Sequence, residues 1–181
     1  MRFSRRNSGW HPVPVSASAA LRWWLFNQHS LTDLIKQRCN QFRVEPTFQA
    51  LATACHDELA VINLHRNELA LIREVYLYCG DRPVVFAHSV IVREHLQGTW
   101  RGLSRLGNQS LGSLLFSNPL IKRHDRFSFR QLNDHHLLYH RACERLSHNK
   151  PKRLWARRRP FSLYGQPILV TEIFLPGILA L

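Results

Sequence analysis

Apolar and polar residues alternate with a period of two along several stretches of the chain, and this pattern predicts β-strands. Strand-length apolar runs predict further strands in LALIREVYLYC, which is a strong candidate, in VVFAHSVIV and in PILVTEIFL. Strands are also predicted in RFSFRQL and RLWARRRPFSLY, and a weak one in RVEPTFQALA, which Pro46 interrupts. Turn residues separate two pairs of these strands: Gly80 and Asp81 lie in the sequence GDRP, and a second turn is expected at YGQP. Each pair is therefore predicted to form an antiparallel hairpin.

Helical spacing of apolar residues is found in three other stretches. Leu21, Trp24 and Leu25 form an apolar stripe in AALRWWLFNQHS. The stretch SLTDLIKQRCNQF opens with Ser30 or Thr32 as a candidate N-cap, and DHHLLYHRACERLS is expected to form a helix on the outside. Because the hairpins follow one another without βαβ units, the pattern predicts an α+β fold. It would have a single antiparallel sheet with helices packed on one face.

Length and charge set wider limits on the interpretation. The 181 residues are enough for one domain with a full core, and residues 1–18, rich in arginine, serine and proline, are expected to be a flexible lead-in to a domain over residues 19–181. The formal net charge is +13. Such a field attracts anions, which include nucleic acid, acidic lipid and small polycarboxylates, and charge alone does not choose among them.

Cysteine usage and hydropathy bear on the compartment. Cys39, Cys55, Cys79 and Cys143 are scattered along the chain without a C-x-x-C pair. We expect reduced structural thiols rather than a disulfide framework, which favours a reducing cytoplasm. The basic start MRFSRRNSGWHPVP lacks the apolar stretch of a secretory signal, and no uncharged apolar run reaches membrane-spanning length. A soluble cytoplasmic protein is expected.

Two charged residues interrupt apolar strand faces. Arg73 shares a face with Leu71, Val75, Leu77 and Cys79, and Glu172 shares one with Ile168, Val170 and Phe174. One interpretation is a structural Arg73–Glu172 salt bridge in the core. The other is a closed pocket in which Arg73 receives a carboxylate and Glu172 faces a hydroxyl or ether oxygen, because arginine offers a planar fork of donors. Spacing alone leaves both open.

The stretch LGNQSLGSLLFS contains two glycines but lacks the Lys-Ser/Thr ending of a phosphate loop. Gly107 and Gly112 could let backbone amides approach a ligand, with Leu111 at the start of a short helix. An ordinary loop-to-helix cap explains the same residues, so this site also remains open.

Two further clusters admit a functional and a structural interpretation. A nucleic-acid stripe could include Arg157, Arg158 and Arg159 together with Lys150, Lys152 and Arg153 before them, but a solvated strand edge is the commoner origin of such a run. His136 and His140 have metal-ligand spacing on a helix, but no H-E-x-x-H motif and no third ligand accompany them. We expect exposed helix histidines and no metal.

Four motifs follow one another along the chain: SLTDLI, LIREVYLYCGDRPVVFAHSVI, LGNQSLGSLLFS and LWARRRPFSLYGQPILVTEIFLP. Their order and rough spacing resemble those of the chorismate lyase family. The resemblance covers the chain from about Leu21 to Pro176. It implies a single chorismate lyase-like domain whose helical flaps close over a buried ligand pocket. The stretch 133–152 is longer than in the shortest relatives.

The resemblance also implies an activity and a set of site residues. It implies elimination of pyruvate from chorismate to give 4-hydroxybenzoate for ubiquinone biosynthesis, without a cofactor or metal. Arg73 and Glu172 match the family's catalytic pair, and Leu31, Arg73, Leu111 and Glu172 match its substrate-binding residues. We expect a monomer that binds small molecules and no nucleic acid. The alternative is an effector module of the UTRA kind, which has this fold without the chemistry.

Overall fold

A computed structural model describes residues 9–124, 126–146 and 150–181. Its centre is a seven-stranded antiparallel sheet with the strand order β1-β2-β3-β7-β6-β4, and β5 also pairs with β6. The strands are β1 (Phe42–Ala52), β2 (Ala70–Cys79), β3 (Arg82–Val92), β4 (Lys122–Arg123), β5 (Ser128–Leu132), β6 (Leu154–Leu163) and β7 (Gln166–Phe174). The predicted α+β class with one antiparallel sheet is confirmed.

Both predicted hairpins are present, and their turns contain residues with positive φ. Gly80, with φ of +57°, joins β2 to β3, and Tyr164 and Gly165, with φ of 49° and 80°, join β6 to β7. Glycine adopts this conformation at little cost, whereas Tyr164 is one of few side-chain-bearing residues that do so here. The turns fix the register of each hairpin and so decide which residues face one another.

The described residues include five short α-helices and three 3₁₀-helices, which surround the sheet. The α-helices are α1 (Ala19–Phe26), α2 (Leu31–Lys36), α3 (His56–Leu59), α4 (Leu111–Ser117) and α5 (Leu137–Ala142), and the 3₁₀-helices span Arg93–Leu96, Arg101–Arg105 and Pro176–Ala180. Of the two predicted N-cap candidates, Ser30 is the N-cap of α2. Its hydroxyl accepts a hydrogen bond from the Asp33 N–H at 3.3 Å.

Helices pack on both faces of the sheet, so the expectation of a single covered face is wrong. We name the faces after two consecutive residues of β2. On the Arg73 face, α1 and α2 bury Leu25 and Ile35 against Val75 and Leu77. On the Glu74 face, α5 buries Leu138, Tyr139 and Ala142 against Tyr76 and Phe86. The helix in the longer stretch 133–152 is therefore part of the core rather than an outer addition, because its apolar side covers this second face.

The cysteines also differ from expectation, since Cys39 and Cys79 form a disulfide while Cys55 and Cys143 are free. Cys39 follows α2 and Cys79 ends β2, and the fold brings their Cα atoms to 5.7 Å, within the range that a disulfide bridges. A sequence separation of 40 makes this proximity impossible to see from the sequence.

Residues 1–8 of the predicted lead-in lie outside the described residues. Beyond them, His11 makes two backbone hydrogen bonds to Phe129 of β5, at 2.8 and 2.7 Å, and the Trp10 indole donates to Asp57 at 2.6 Å. The domain boundary at residue 19 remains a prediction. Among the described residues, no helix combines the length and apolar character needed to span a membrane.

Candidate active site

A narrow cavity of about 40 Å³ lies on the Arg73 face of the sheet. Strands β2, β3 and β7 form its floor, and the first residues of α2 and α4 form its roof. Arg73 and Glu172 both line it, together with Leu111 of α4. The volume has room for a few water molecules but not for an aromatic ring, so the roof must shift when a ring enters.

Strand register arranges the residues of this face in two rows that run across the sheet. The first row is Arg73–Ser89–Val170–Arg159, and the second is Val75–Ala87–Glu172–Arg157. Members of a row on neighbouring strands lie about 5 Å apart. Arg73 and Glu172 therefore stand two strands apart and in different rows, whereas Arg157 lies directly opposite Glu172.

Arg73 is a buried cation with no carboxylate partner among the described residues. It is 3% exposed, and its Nη2 donates to the carbonyl oxygens of Gly107 and Gln109, both at 2.9 Å. Its Nε has no hydrogen-bond acceptor in the described structure. Burial lowers the pKa of Arg73, which reflects the cost of holding this charge away from water. Within this part of the chain the predicted Arg73–Glu172 salt bridge is not formed, which leaves the pocket interpretation.

Glu172 instead pairs with Arg157, a residue that sequence reasoning assigned to a surface run. The Arg157 Nε donates to Glu172 Oε2 at 2.5 Å. The Arg157 Nη1 also donates to three backbone carbonyls at the end of α1, those of Trp24 at 3.0 Å, Leu25 at 3.2 Å and Asn27 at 2.8 Å. Through this guanidinium, the carboxylate in the cavity is tied to the flap formed by α1 and α2.

The pairing of Arg157 with Glu172 can be derived from the sequence by counting residues from the hairpin turn. The turn YGQP pairs Leu163 with Gln166, and counting outward from that pair sets Arg157 opposite Glu172. The two oppositely charged residues are a cross-strand pair of the kind that antiparallel hairpins favour. The pairing was not predicted because the run of three arginines was assigned to the protein surface.

The three arginines of this run are buried, so for them both the nucleic-acid stripe and the solvated edge are wrong. Arg157, Arg158 and Arg159 are 1%, 6% and 4% exposed. Strand β6 lies inside the sheet, between β7 on one side and β4 and β5 on the other. Because side chains alternate, Arg157 and Arg159 point to the Arg73 face and Arg158 points to the Glu74 face, where it contacts Asp57.

The two remaining candidates, Leu111 and Leu31, begin the helices of the roof. Leu111 is the first residue of α4 and lines the cavity, and the N–H groups of a first helical turn have no intrahelical acceptor. Leu31 is buried in the core cluster, while its neighbour Thr32 lines the cavity. The hydroxyls of Thr32 and Ser110 are 2.6 Å apart and link α2 to α4. Sequence reasoning missed this link.

Neither of the two histidines with metal-ligand spacing lines this cavity. His136 is the N-cap of α5, and it is mostly buried beside Asp57 at 3.5 Å rather than exposed as expected. His140 is exposed and contacts the carbonyl oxygen of Asp134 at 2.6 Å. Within the described residues, no group of three histidine, cysteine or acidic side chains is arranged to hold a metal ion.

Solved structures of bacterial regulators share the fold. The effector domain of PhnF from Mycobacterium smegmatis superposes with a TM-score of 0.58, at 11% sequence identity, over 83% of this chain and 91% of that one. The ligand-binding domain of a putative GntR-family transcriptional regulator from Bordetella bronchiseptica gives a TM-score of 0.53 at 13% identity, over 75% and 85%. At these identities the likeness concerns the fold alone.

Sequence comparison is more specific. A relative from Nitrosomonas europaea, named a probable chorismate pyruvate-lyase, is 63% identical over 169 residues, which cover 93% of this chain and 94% of the relative. One with the same name from Nitrosospira multiformis is 59% identical over 175 residues, covering 96% of each. The family model described as chorismate lyase matches residues 6–180. The chain therefore belongs to the chorismate lyase family.

Proposed function

We propose that the cavity under α2 and α4 is the site at which this chain removes pyruvate from chorismate and leaves 4-hydroxybenzoate. The observation that carries the proposal is Arg73, a buried guanidinium that faces the cavity without a carboxylate partner in the described structure. A buried charge without a counter-ion is costly, so such a residue is retained where it receives a charged ligand. Glu172 lines the same cavity and supplies a strong acceptor.

The reaction needs positioning more than it needs a reagent. The bond between ring carbon C3 and the ether oxygen breaks, the hydrogen on C4 leaves, and the methylene carbon of the departing enolpyruvyl group gains a hydrogen to give pyruvate. Atoms and electrons balance without water, oxidant or metal, and the ring becomes aromatic. Holding the ring in one orientation can therefore supply much of the rate acceleration.

Each predicted site residue has a role in that positioning. The Arg73 guanidinium and the Leu111 N–H would hold the ring carboxylate, since arginine can offer two parallel donors to it. Glu172 would accept the hydrogen bond of the 4-hydroxyl group. Arg157 donates a hydrogen bond to the same carboxylate and would hold it in place for that contact. Leu31, on α2, would contribute apolar surface to the flap above the ring.

Other properties implied by the family belong to the same proposal. The product would feed ubiquinone biosynthesis, and the protein would act as a cofactor-independent monomer in the cytoplasm without binding nucleic acid. A cytoplasmic location would expose the Cys39–Cys79 disulfide to reduction, because disulfides are rare in that compartment. Non-reducing electrophoresis of protein alkylated at the moment of cell lysis would report its state.

One assay tests the activity directly. Purified protein is incubated with chorismate, and pyruvate and 4-hydroxybenzoate are measured together with and without a chelator. We expect the two products in equal amounts and no effect of the chelator. Loss of activity with chelator that a divalent ion restores would contradict the cofactor-free reaction. Tight binding of 4-hydroxybenzoate with no turnover would favour the second candidate, an effector module, which the fold of the GntR-family domains brings into consideration.

A further inference from the structure

Arg159 is a second buried cation on the Arg73 face that has no carboxylate partner in the described residues. It is 4% exposed, and its Nη1 donates to the side-chain oxygen of Gln28 at 3.0 Å. Its guanidinium carbon lies 3.9 Å from the centre of the Phe127 ring and 5.4 Å from that of Phe161. Its Nε has no hydrogen-bond acceptor in the described structure. The guanidinium thus contacts one side-chain amide and two aromatic rings, and none of these groups carries a negative charge.

This environment leaves the charge of Arg159 uncompensated. Burial, followed by repulsion from Arg157, lowers the pKa of Arg159 to about 10, and the attraction of Glu172 only partly opposes them. Cation–π contacts stabilise a buried guanidinium by less than a paired carboxylate does. A structural arginine in this position would be expected to acquire an acidic neighbour or to be replaced by an apolar residue.

Arg159 flanks the cavity on the side opposite Arg73. Both belong to the first row of the face, and Val170, which stands next to Arg159 in that row, lines the cavity. Three strand spacings separate Arg73 from Arg159, which is roughly 14 Å between their backbones. Gln28, the hydrogen-bond partner of Arg159, lies in the linker between α1 and α2, so a shift of that flap would free the guanidinium.

Charge balance on this face indicates what kind of ligand it accepts. Among the described residues of this face, three buried guanidiniums, those of Arg73, Arg157 and Arg159, are accompanied by one carboxylate, that of Glu172, which leaves an excess of two positive charges. The proposed product, 4-hydroxybenzoate, carries one carboxylate, which Arg73 would neutralise. Chorismate carries a second carboxylate on its enolpyruvyl group. The excess therefore matches the substrate rather than the product.

We propose that Arg159 binds the enolpyruvyl carboxylate of the substrate, and so forms an anion subsite that the product leaves empty. This inference rests on the proposed function. It gives Arg159 a role in selecting a dicarboxylate and in holding the leaving group while the bond to C3 breaks. Once pyruvate departs, only the Arg73 end of the cavity retains an anion.

Comparing two ligands tests this assignment. For Arg159→Gln, we expect the Kd of chorismate and its KM to rise about 10- to 100-fold, as the loss of charge-assisted hydrogen bonds implies. The Kd of 4-hydroxybenzoate should change less than about threefold, because that ligand does not reach Arg159. Arg159→Lys, which keeps the charge but not the fork, should raise the Kd of chorismate by less. It carries the test if Arg159→Gln does not fold.

A matched control removes a nearby exposed charge. Arg123, on β4, contributes to the electrostatic environment of Arg159 but is exposed, so Arg123→Gln should leave both Kd values within about twofold. Equal weakening of chorismate and 4-hydroxybenzoate in the Arg159 variants would overturn the proposal and indicate a role in holding the flap. If wild-type protein binds chorismate without releasing pyruvate, the proposed function fails, while the two Kd values still decide the role of Arg159.

Discussion

The two faces of the sheet differ in how their buried charges are compensated. On the Glu74 face, charges are matched within the fold: Glu74 contacts both Arg141 and His88, and His88 also contacts Glu58 at 3.3 Å. On the Arg73 face, Arg73 donates to two backbone carbonyls and contacts no carboxylate within the part of the chain that the structure describes. Both faces are covered by helices, so burial alone does not distinguish them. What differs is whether the protein itself supplies the opposite charge.

Adjacent residues illustrate the contrast. Arg73 and Glu74 are consecutive in β2 and equally buried, yet alternation sends them to different faces. On the Glu74 face, removing one partner would strand another, which is the behaviour of a structural network. On the Arg73 face, the missing anion would come from the ligand. The comparison therefore predicts that substitutions on one face change stability and those on the other change binding.

The largest effect is expected for Arg73→Ala. Charge-assisted hydrogen bonds contribute about 1.5–3 kcal/mol each, so losing two to the ring carboxylate should weaken 4-hydroxybenzoate binding by roughly 10²- to 10⁴-fold. The melting temperature should stay the same or rise, because the variant no longer buries an unpaired charge. Calorimetric titration and thermal melting measure the two quantities.

Arg73→Lys sharpens this result, because lysine keeps the charge but lacks the bidentate fork and should not restore binding. If both Arg73 variants bind 4-hydroxybenzoate like wild type, the anion site lies elsewhere in the molecule.

The next effect concerns stability on the other face. Glu74→Gln would leave His88 and Arg141 with a weaker partner, and breaking a buried charge pair costs about 3–5 kcal/mol. For a chain of this length that corresponds to a fall in melting temperature of roughly 6–20 °C. Turnover by the folded fraction at low temperature should remain within about threefold of wild type.

Glu45→Gln is the matched control for that substitution, since Glu45 pairs with Arg43 at 2.7 Å on the surface. Exposed pairs contribute less than about 1 kcal/mol, so this variant should melt close to wild type. A Glu74→Gln protein as stable as Glu45→Gln but inactive would reverse the roles of the two faces.

Glu172 combines features of both faces, because it lines the cavity and also pairs with Arg157. We expect Glu172→Gln to lower the turnover number about 10²-fold, because a neutral amide is a weaker hydrogen-bond acceptor for the 4-hydroxyl group than a carboxylate is. The amide oxygen can still accept from Arg157, so the loss of stability should be about 1–3 kcal/mol. Binding of 4-hydroxybenzoate should fall less than turnover does. A variant that is strongly destabilised yet turns over normally at low temperature would make Glu172 a structural charge.

Local patterns predicted much of the fold. Apolar runs of strand length located the strands of both hairpins, and the glycine-containing turns placed their ends, because these features depend on neighbouring residues. The Ser30 cap and the start of α4 at Leu111 followed for the same reason. Arg73 and Glu172 stood out as charges on apolar faces, and the structure brings both to one cavity.

The errors concern distant contacts and general tendencies. Arginines are mostly exposed in proteins, and this tendency led to a surface assignment for Arg159, although β6 is an inner strand. No local pattern shows that a later segment covers β6, or that Cys39 meets Cys79. The second covered face was missed because the apolar side of α5 is short. Each of these depends on residues far apart in the sequence.

The smallest effect is a pH dependence that arises on the Glu74 face. His88 is fully buried; burial alone would lower its pKa, but the carboxylates of Glu58 and Glu74 outweigh it and raise the pKa to about 9. An unfolded histidine has a pKa near 6.5. Because the folded state holds the proton more tightly, this stabilisation is fully present below about pH 6.5 and is lost as the pH rises through about 9. Between pH 7 and pH 9 the contribution of this group to the free energy of unfolding should fall by about 2 kcal/mol.

Other groups titrate in the same range, so the relevant quantity is the difference in the free energy of urea unfolding between wild type and His88→Gln at each pH. That difference should shrink by this amount as the pH rises, and a difference independent of pH would mean that His88 is neutral between its two carboxylates.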